Sequence, residues 1–248
     1  MSARLSIVIP TLNERQRLPR TLASASLAAN AETVVVDGGS HDGTRAVARR
    51  CGARCLASAP GRGRQMNRGV EVASGELLLF LHADTVLPDG FDTRIRETLD
   101  RPDVVAGAFR LSFGRASIGL RLIAAGANLR SRLLQLPYGD QALFLSKRTF
   151  LEIGGYPEWP ILEDYDLVRR LRRRGRIASC PQGVVTSPRR FQESGPWRTT
   201  WRNQCVILGA IAGVSPAALA RWSHRERGAS REDGDGRSSA DETAQAGR

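Results

Sequence analysis

The chain has 248 residues, 41% of them hydrophobic and 25% charged, with a formal net charge of +12 and a pI near 11.0. That length and apolar content fit an ordinary soluble protein and allow one large α/β domain, or two intimately packed halves, with a substantial core. The longest apolar stretch, 205–220, holds Gly209, Gly213 and Pro216 and is shorter than the roughly 20 residues needed to span a bilayer. A packed helical hairpin or an interfacial segment is expected there.

A first strand is expected over 6–9, stopped by Pro10, and it leaves no room for a signal peptide, so a cytoplasmic location is expected. Leu18, Leu22 and Ala25 at helical spacing predict a helix over 15–29, followed by a strand over 33–36 that ends at Asp37-Gly38-Gly39-Ser40. A helix over 44–50, a short strand over 53–57 and a helix over 63–73 come next. The run Leu77-Leu78-Leu79-Phe80-Leu81 then leads without a break to His82, Ala83 and Asp84, as a strand buried on both faces would. Alternating strands and helices imply a doubly wound, mostly parallel α/β sheet. Further on, a strand over 105–113 and an amphipathic helix over 118–136 are expected, the helix carrying Arg121, Arg130 and Arg132. Trp197 and Trp201, four apart, are read as core residues, with a sugar or membrane platform as the alternative. From 223 onward the composition is too polar to bury a core, and a disordered tail over 223–248 is expected.

Charge is unevenly placed. Residues 1–109 hold 14 basic and 12 acidic groups, whereas 110–202 hold 17 and 7, so an anionic partner is expected against the second half. Cys51, Cys55, Cys180 and Cys205 fit neither a disulfide framework nor zinc spacing and read as reduced, mostly buried thiols.

Three polar segments fall at consecutive strand ends and so on one sheet edge, where open α/β folds bind ligands: 10–14, 37–44 and the strand end at Asp84. A carboxylate held there suits a divalent cation, and glycines let the backbone approach a ligand closely. Downstream, Glu163 and Asp164 open a helix whose inner face is Asp164, Leu167, Val168 and Leu171; acids in a first turn are usually caps, but the helix dipole also favours their ionised form.

The ordered set SIVIPTLNE, VVVDGGSHDGT, LLLFLHADT, LPYGDQ, GGYPE and LEDYDL resembles a family-2 glycosyltransferase of the nucleotide-sugar-binding A fold, over about residues 5–222. The HADT and PYGDQ variants and the closing GVSPAALA resemble a bacterial subfamily associated with arsenosugar pathways and radical-SAM enzymes, near carotenoid-acid glycosyltransferases. The resemblance implies a nucleotide-sugar half over 1–109, an acceptor half over 110–190 and C-terminal helices over 191–222. It implies that Pro10, Asn13 and Glu14 line the nucleotide, that Asp37 holds a uracil or guanine, and that Arg62, Arg64, Asn67 and His82 lie near the ribose and diphosphate. Arg189 and Arg190 would close over the phosphates. Asp84 would be the Mg²⁺ or Mn²⁺ ligand; because His82 replaces the first acid of the family's Asp-x-Asp, the cation should arrive largely with its UDP- or GDP-sugar. Asp164 would be the general base, supported by Glu163, with Tyr138, Asp140 and Gln141 bordering the acceptor. The acceptor is expected to be a hydroxyl or carboxyl compound, either lipid-like at an anionic membrane face or soluble, and inversion at the anomeric carbon is expected. A basic nucleic-acid-binding protein is the rival reading, opposed by the 6% aromatic content and the strand-end acids, so no nucleic acid is expected as a partner.

Overall fold

The computed structural model describes residues 2–226. The chain divides after Ser187 into two compact units. The first runs β1 (Leu5–Thr11), α1 (Leu18–Ala25), β2 (Ala31–Asp37), α2 (Thr44–Arg50), β3 (Arg54–Ala57), α3 (Arg62–Val72), β4 (Leu77–Phe80), β5 (Thr85–Val86), α4 (Phe91–Leu99), β6 (Val104–Ser112) and α5 (Ile118–Leu134). A 3-10 turn (Gly139–Gln141), β7 (Phe144–Ser146), α6 (Lys147–Glu152), α7 (Glu163–Arg172) and β8 (Arg176–Thr186) complete it.

The strands form one sheet in the order β3-β2-β1-β4-β7-β6-β8-β5. Pairings β1–β2, β1–β4, β2–β3 and β6–β8 are parallel, while β7 runs antiparallel to β4 and β6, and β5 to β8. Along β1, Leu5, Ile7 and Ile9 enter one apolar cluster and Val8 the other, so period-two alternation buries both faces. Each such aliphatic side chain contributes roughly 1.5–3 kcal/mol on burial. α3 presses on this strand through Gly69: a Cβ there would lie 2.4 Å from Val8 Cγ1.

Several expected boundaries move. β1 continues through Pro10, whose Cα partner is Val36, because an extended strand accommodates proline's fixed φ. The first helix begins only at Leu18, since Asn13 turns the chain into the left-handed region (φ 54°) and residues 13–15 are tied to the next loop. β4 stops at Phe80, where its register with β1 ends opposite Val8, and 81–84 form a turn closed by Thr85 N–H to His82 O at 3.1 Å. The 118–136 helix ends at Leu134 because Gln135 adopts φ 51°.

The second unit holds α8 (Arg189–Ser194), α9 (Pro196–Ile211) and a last helical segment over 216–226. The stretch 205–220 is thus a helical hairpin, packed where a Cβ on Gly209 would lie 2.6 Å from Leu219 Cδ2. Trp197 and Trp201 are not core: they are 62% and 72% exposed, because α9 buries the face carrying Thr199, Arg202 and Val206 instead. Of the expected tail, 223–226 continue the last helical segment and 227–248 lie outside the described residues. The cysteines are free, but Cys51 is exposed and only Cys180 is fully buried.

Candidate active site

One sheet edge collects the polar segments. Beyond β1 and β2, two loops are woven together: Asn13 N–H donates to Ser40 Oγ at 2.8 Å, His41 N–H to Asn13 Oδ1 at 3.0 Å, Glu14 N–H to Thr44 Oγ1 at 2.9 Å, and Arg15 N–H to Asp42 Oδ2 at 3.0 Å. Asp37 is 1% exposed and accepts from Ser40 Oγ at 2.5 Å and from the backbone N–H groups of Gly39 and Ser40 at 3.2 and 3.0 Å. Its carboxylate therefore shapes its own glycine turn. Gln65, unremarked in the sequence, ties the two strand ends by donating to Thr11 O and Val36 O at 2.9 and 2.8 Å.

The turn after β4 carries His82 and Asp84 to the same edge, both half-buried. Asp84 O accepts from Ser187 N–H at 3.2 Å, while its carboxylate has no hydrogen bond or ion pair among the described residues. Because β7 is antiparallel to β4, the segment leading into β7 also lies past the end of β4; Phe80 N–H donates to Leu143 O at 2.9 Å. That segment is 138–142.

Here the acids converge. Gly139 lies so close to Asp164 that a Cβ would sit 2.3 Å from its Oδ2, which only glycine permits. Glu163, 1% exposed, meets Arg62 from the start of α3 with Nε to Oε1 at 2.6 Å. Burial, then Glu163 beside it, push the Asp164 carboxyl up to about 7, with Arg62 pulling the other way and Asp140 adding to the rise. Tyr156, buried among Phe80 and Phe150, is held in its phenol form by burial and by Asp164 and Glu163. No hydrogen-bond donor or acceptor among the described residues serves the Tyr156 hydroxyl or Glu163 Oε2. α7 starts from Leu162 in a left-handed conformation (φ 69°), and Ala142 beyond the 3-10 turn has φ 48°, so non-glycine backbone strain flanks these acids on both sides.

The remaining expected site residues have other employment or other places. Pro10 is buried inside β1. Arg64 forks onto Glu158, at 3.0 and 2.7 Å, on the surface. The Asn67 amide clasps Tyr156, accepting from its N–H at 2.9 Å and donating to its carbonyl at 2.8 Å. Gln141 was expected to border the acceptor and does not: it is fully buried, bonded to Ser131 Oγ at 2.5 Å and Phe109 O at 3.1 Å, because the 3-10 turn points it under α5. Tyr138 lies under the Arg130 guanidinium, 3.6 Å from ring centroid to Cζ, and burial raises its hydroxyl pKa. Arg189 opens α8 in the second unit. The Arg190 side chain lies outside the described residues.

The model of glycosyl transferase family 2 matches residues 6–150, more than half of the chain and the whole span from β1 to the start of α6. The chain belongs to glycosyl transferase family 2. This family 2 chain is 34% identical over 200 residues to a TPR repeat-containing protein of Synechococcus elongatus, covering 74% of the chain and 48% of the relative. It spans about half the length of that relative. It is 32% identical over 181 residues to a PGL/p-HBAD biosynthesis glycosyltransferase of Mycobacterium bovis, covering 65% and 66%. The family 2 fold superimposes on a mannosyltransferase from Pyrobaculum calidifontis, solved with GDP-Man and Mn²⁺, with a TM-score of 0.65 at 19% identity over 93% of this chain and 74% of that one.

The sequence missed Gln65, Tyr156 and Gly139 as site members. Tyr156 and Gly139 stand inside the GGYPE and LPYGDQ motifs, and the motifs were the available signal. Nothing local marks Gln65.

Proposed function

We propose that this chain transfers a glycosyl group from a nucleotide-diphospho-sugar to an acceptor hydroxyl with inversion, Asp164 serving as general base. The observation that carries the reading is the seating of Asp164 against Gly139, beside the Glu163–Arg62 pair, at the sheet edge that also bears Asp84; burial there raises its carboxyl to about 7. A base poised near neutral pH is well matched to this task. Asp164 takes the acceptor proton as the acceptor oxygen bonds to the anomeric carbon. The bond from that carbon to the diphosphate oxygen breaks with its electron pair, releasing the nucleoside diphosphate.

The fit of a divalent cation follows from the donor set. No group of three or more His, Cys, Asp or Glu side chains that could cage a metal occurs among the described residues, and Asp84 offers one unengaged carboxylate. One hard oxygen ligand suits Mg²⁺ or Mn²⁺ whose other ligands are diphosphate oxygens and water. Bound there, the cation would neutralise charge building on the departing diphosphate. Arg62 anchors Glu163 and sets the local positive potential beside Asp164. The unserved Tyr156 hydroxyl and Glu163 oxygen supply polar groups for sugar or acceptor hydroxyls to satisfy.

For the acceptor, exposed Ile118, Leu122, Leu129 and Leu133 at helical spacing on α5, interleaved with arginines, favour a lipid-like molecule at an anionic membrane face over a soluble arsenosugar-type one. No helix among the described residues is long and apolar enough to cross a membrane.

The deciding experiment measures nucleoside diphosphate release from a panel of UDP- and GDP-sugars with Mn²⁺. Release that depends on Mn²⁺ and disappears in Asp164→Asn supports the reading, whereas undiminished release by that variant removes Asp164 from the chemistry. Retention of the donor's anomeric configuration would overturn inversion. Flotation with anionic liposomes tests the membrane acceptor; absence of lipid-dependent recovery favours the soluble one.

A further inference from the structure

On the first unit, α5 and strands β6 and β8 border a cavity of about 530 Å³ that opens to solvent, lined by Arg110, Arg132, Arg176, Asn128, Gln135 and Ser179 among others. None of the acids or loops of the candidate active site lines it.

The cavity is a built feature. β6 and β8 run in register from Ala106↔Ile177 to Ala108↔Ser179, then slip so that Arg110 faces Gly183. Two residues on β6 thus span four on β8, and the resulting bulge at residues 180–182 opens the sheet where the cavity lies. Its polar floor is already satisfied: Asn128 bonds the Leu111 N–H and carbonyl at 2.7 and 3.0 Å, and Gln135 Oε1 accepts from Ile177 N–H at 2.9 Å.

Its charges are not. Arg176 forks onto Asp103, Nη2 to Oδ1 at 3.2 Å, and is neutralised. Arg110, Arg132 and the Ser179 hydroxyl have no hydrogen-bond or ion-pair partner among the described residues, and no acidic side chain lines the walls. With no carboxylate among the lining residues, Arg110 and Arg132 give the groove a positive potential that an anion would offset. A guanidinium presents a planar fork that matches phosphate oxygens, and a hydroxyl adds a neutral donor.

We propose that this cavity is a phosphate-binding site distinct from the donor pocket, taking a phosphate-bearing small molecule or the phosphate head group of an anionic lipid. The volume fits a phosphate with a small polar substituent. Leu129, which lines the same cavity, is 57% exposed on the apolar face of α5, so an acyl chain leaving the cavity would find an apolar surface. The inference does not rest on the transferase reading, since none of the residues that carry that reading is used.

The test is calorimetric titration of the full chain with inorganic phosphate and with glycerol 3-phosphate, at ionic strength held constant with chloride. The comparison is Arg110→Gln/Arg132→Gln. Both side chains are exposed, so the variant should keep the wild-type circular dichroism spectrum and melting temperature. Saturable binding by the wild type, weakened about tenfold per arginine lost, is expected from charge-assisted hydrogen bonds. Sedimentation with phosphatidylcholine vesicles, with and without phosphatidic acid, separates the two sources. Retention only with phosphatidic acid, lost in the variant, identifies a lipid head group, whereas binding of glycerol 3-phosphate without vesicle retention identifies a soluble ligand. Absence of binding in both assays, or a variant that binds like the wild type, overturns the proposal.

Discussion

Replacing Asp164 by asparagine should make the protein more stable and inactive. In the folded chain the Asp164 carboxyl is pushed up to about 7 from an ordinary value of 3.8, so folding disfavours the ionised form. Below about pH 4 the group is protonated in both states and costs nothing. Between pH 4 and 7 the unfolded chain ionises while the folded one resists, and stability falls as pH rises; above 7 the full cost is present. The rise from 3.8 to about 7 corresponds to a ceiling of about 4 kcal/mol. Partial exposure of Asp164 screens this to about 2 kcal/mol. Asparagine keeps the shape and an oxygen for the Gly139 N–H but carries no charge to desolvate. For a unit of this size about 2 kcal/mol means a melting temperature higher by roughly 4–8 °C at pH 8, and no difference at pH 4. Differential scanning fluorimetry across pH 4–8.5 reads this directly. A variant less stable than the wild type at pH 8, or an advantage independent of pH, would refute the placement of a strained carboxylate at this site.

Arg62→Met should be costly, about 3–5 kcal/mol in urea denaturation, because Glu163 is left buried without its counter-charge, and Arg62→Met/Glu163→Leu should recover most of the loss. In Gly139→Ala the new Cβ would stand 2.3 Å from Asp164 Oδ2. It should displace the carboxylate by about 1 Å, lower kcat about 10²-fold and cost about 1–3 kcal/mol of stability through overpacking; unchanged kcat would argue that Asp164 is a bystander. The rate kcat/KM should rise with pH to a half-maximal value near 7 as Asp164 loses its proton, and a profile flat from pH 5.5 to 8.5 would contradict its role as base. EDTA should abolish turnover and Mn²⁺ restore it, while Mn²⁺ alone should leave the melting temperature unmoved unless UDP or GDP is present.

The first half of the fold is legible because its strands are apolar runs punctuated by Pro, Gly and Asp, and its helices carry leucines at helical spacing. The second half is less so. β7 is three residues long, and β8 contains Ser179, Pro181, Gln182 and Gly183, a composition that reads as loop yet forms the longest strand by pairing with β6. Asp84 and Asp164 were visible as acids at element ends. What the sequence could not convey is how polar side chains spend their hydrogen bonds. Asn67 and Gln141 look like ligand contacts and are internal ties, whereas Arg62 joins the acids through Glu163, one hundred and one residues away in the chain. Such pairings depend on three-dimensional closure.

The Asn128 and Gln141 carboxamides have a further consequence. β6 outruns its neighbour β7, which pairs with it only at Ala106 and Gly107, and would otherwise present a bare strand edge at residues 109–111. Two side chains occupy it in place of a strand, Gln141 at Phe109 O and Asn128 at both polar groups of Leu111. An unoccupied edge of apolar sequence such as Ala108-Phe109 is a template for other chains to add strands and aggregate. The two amides therefore act as a guard against self-assembly, and their loss would be felt first as lowered solubility at high protein concentration.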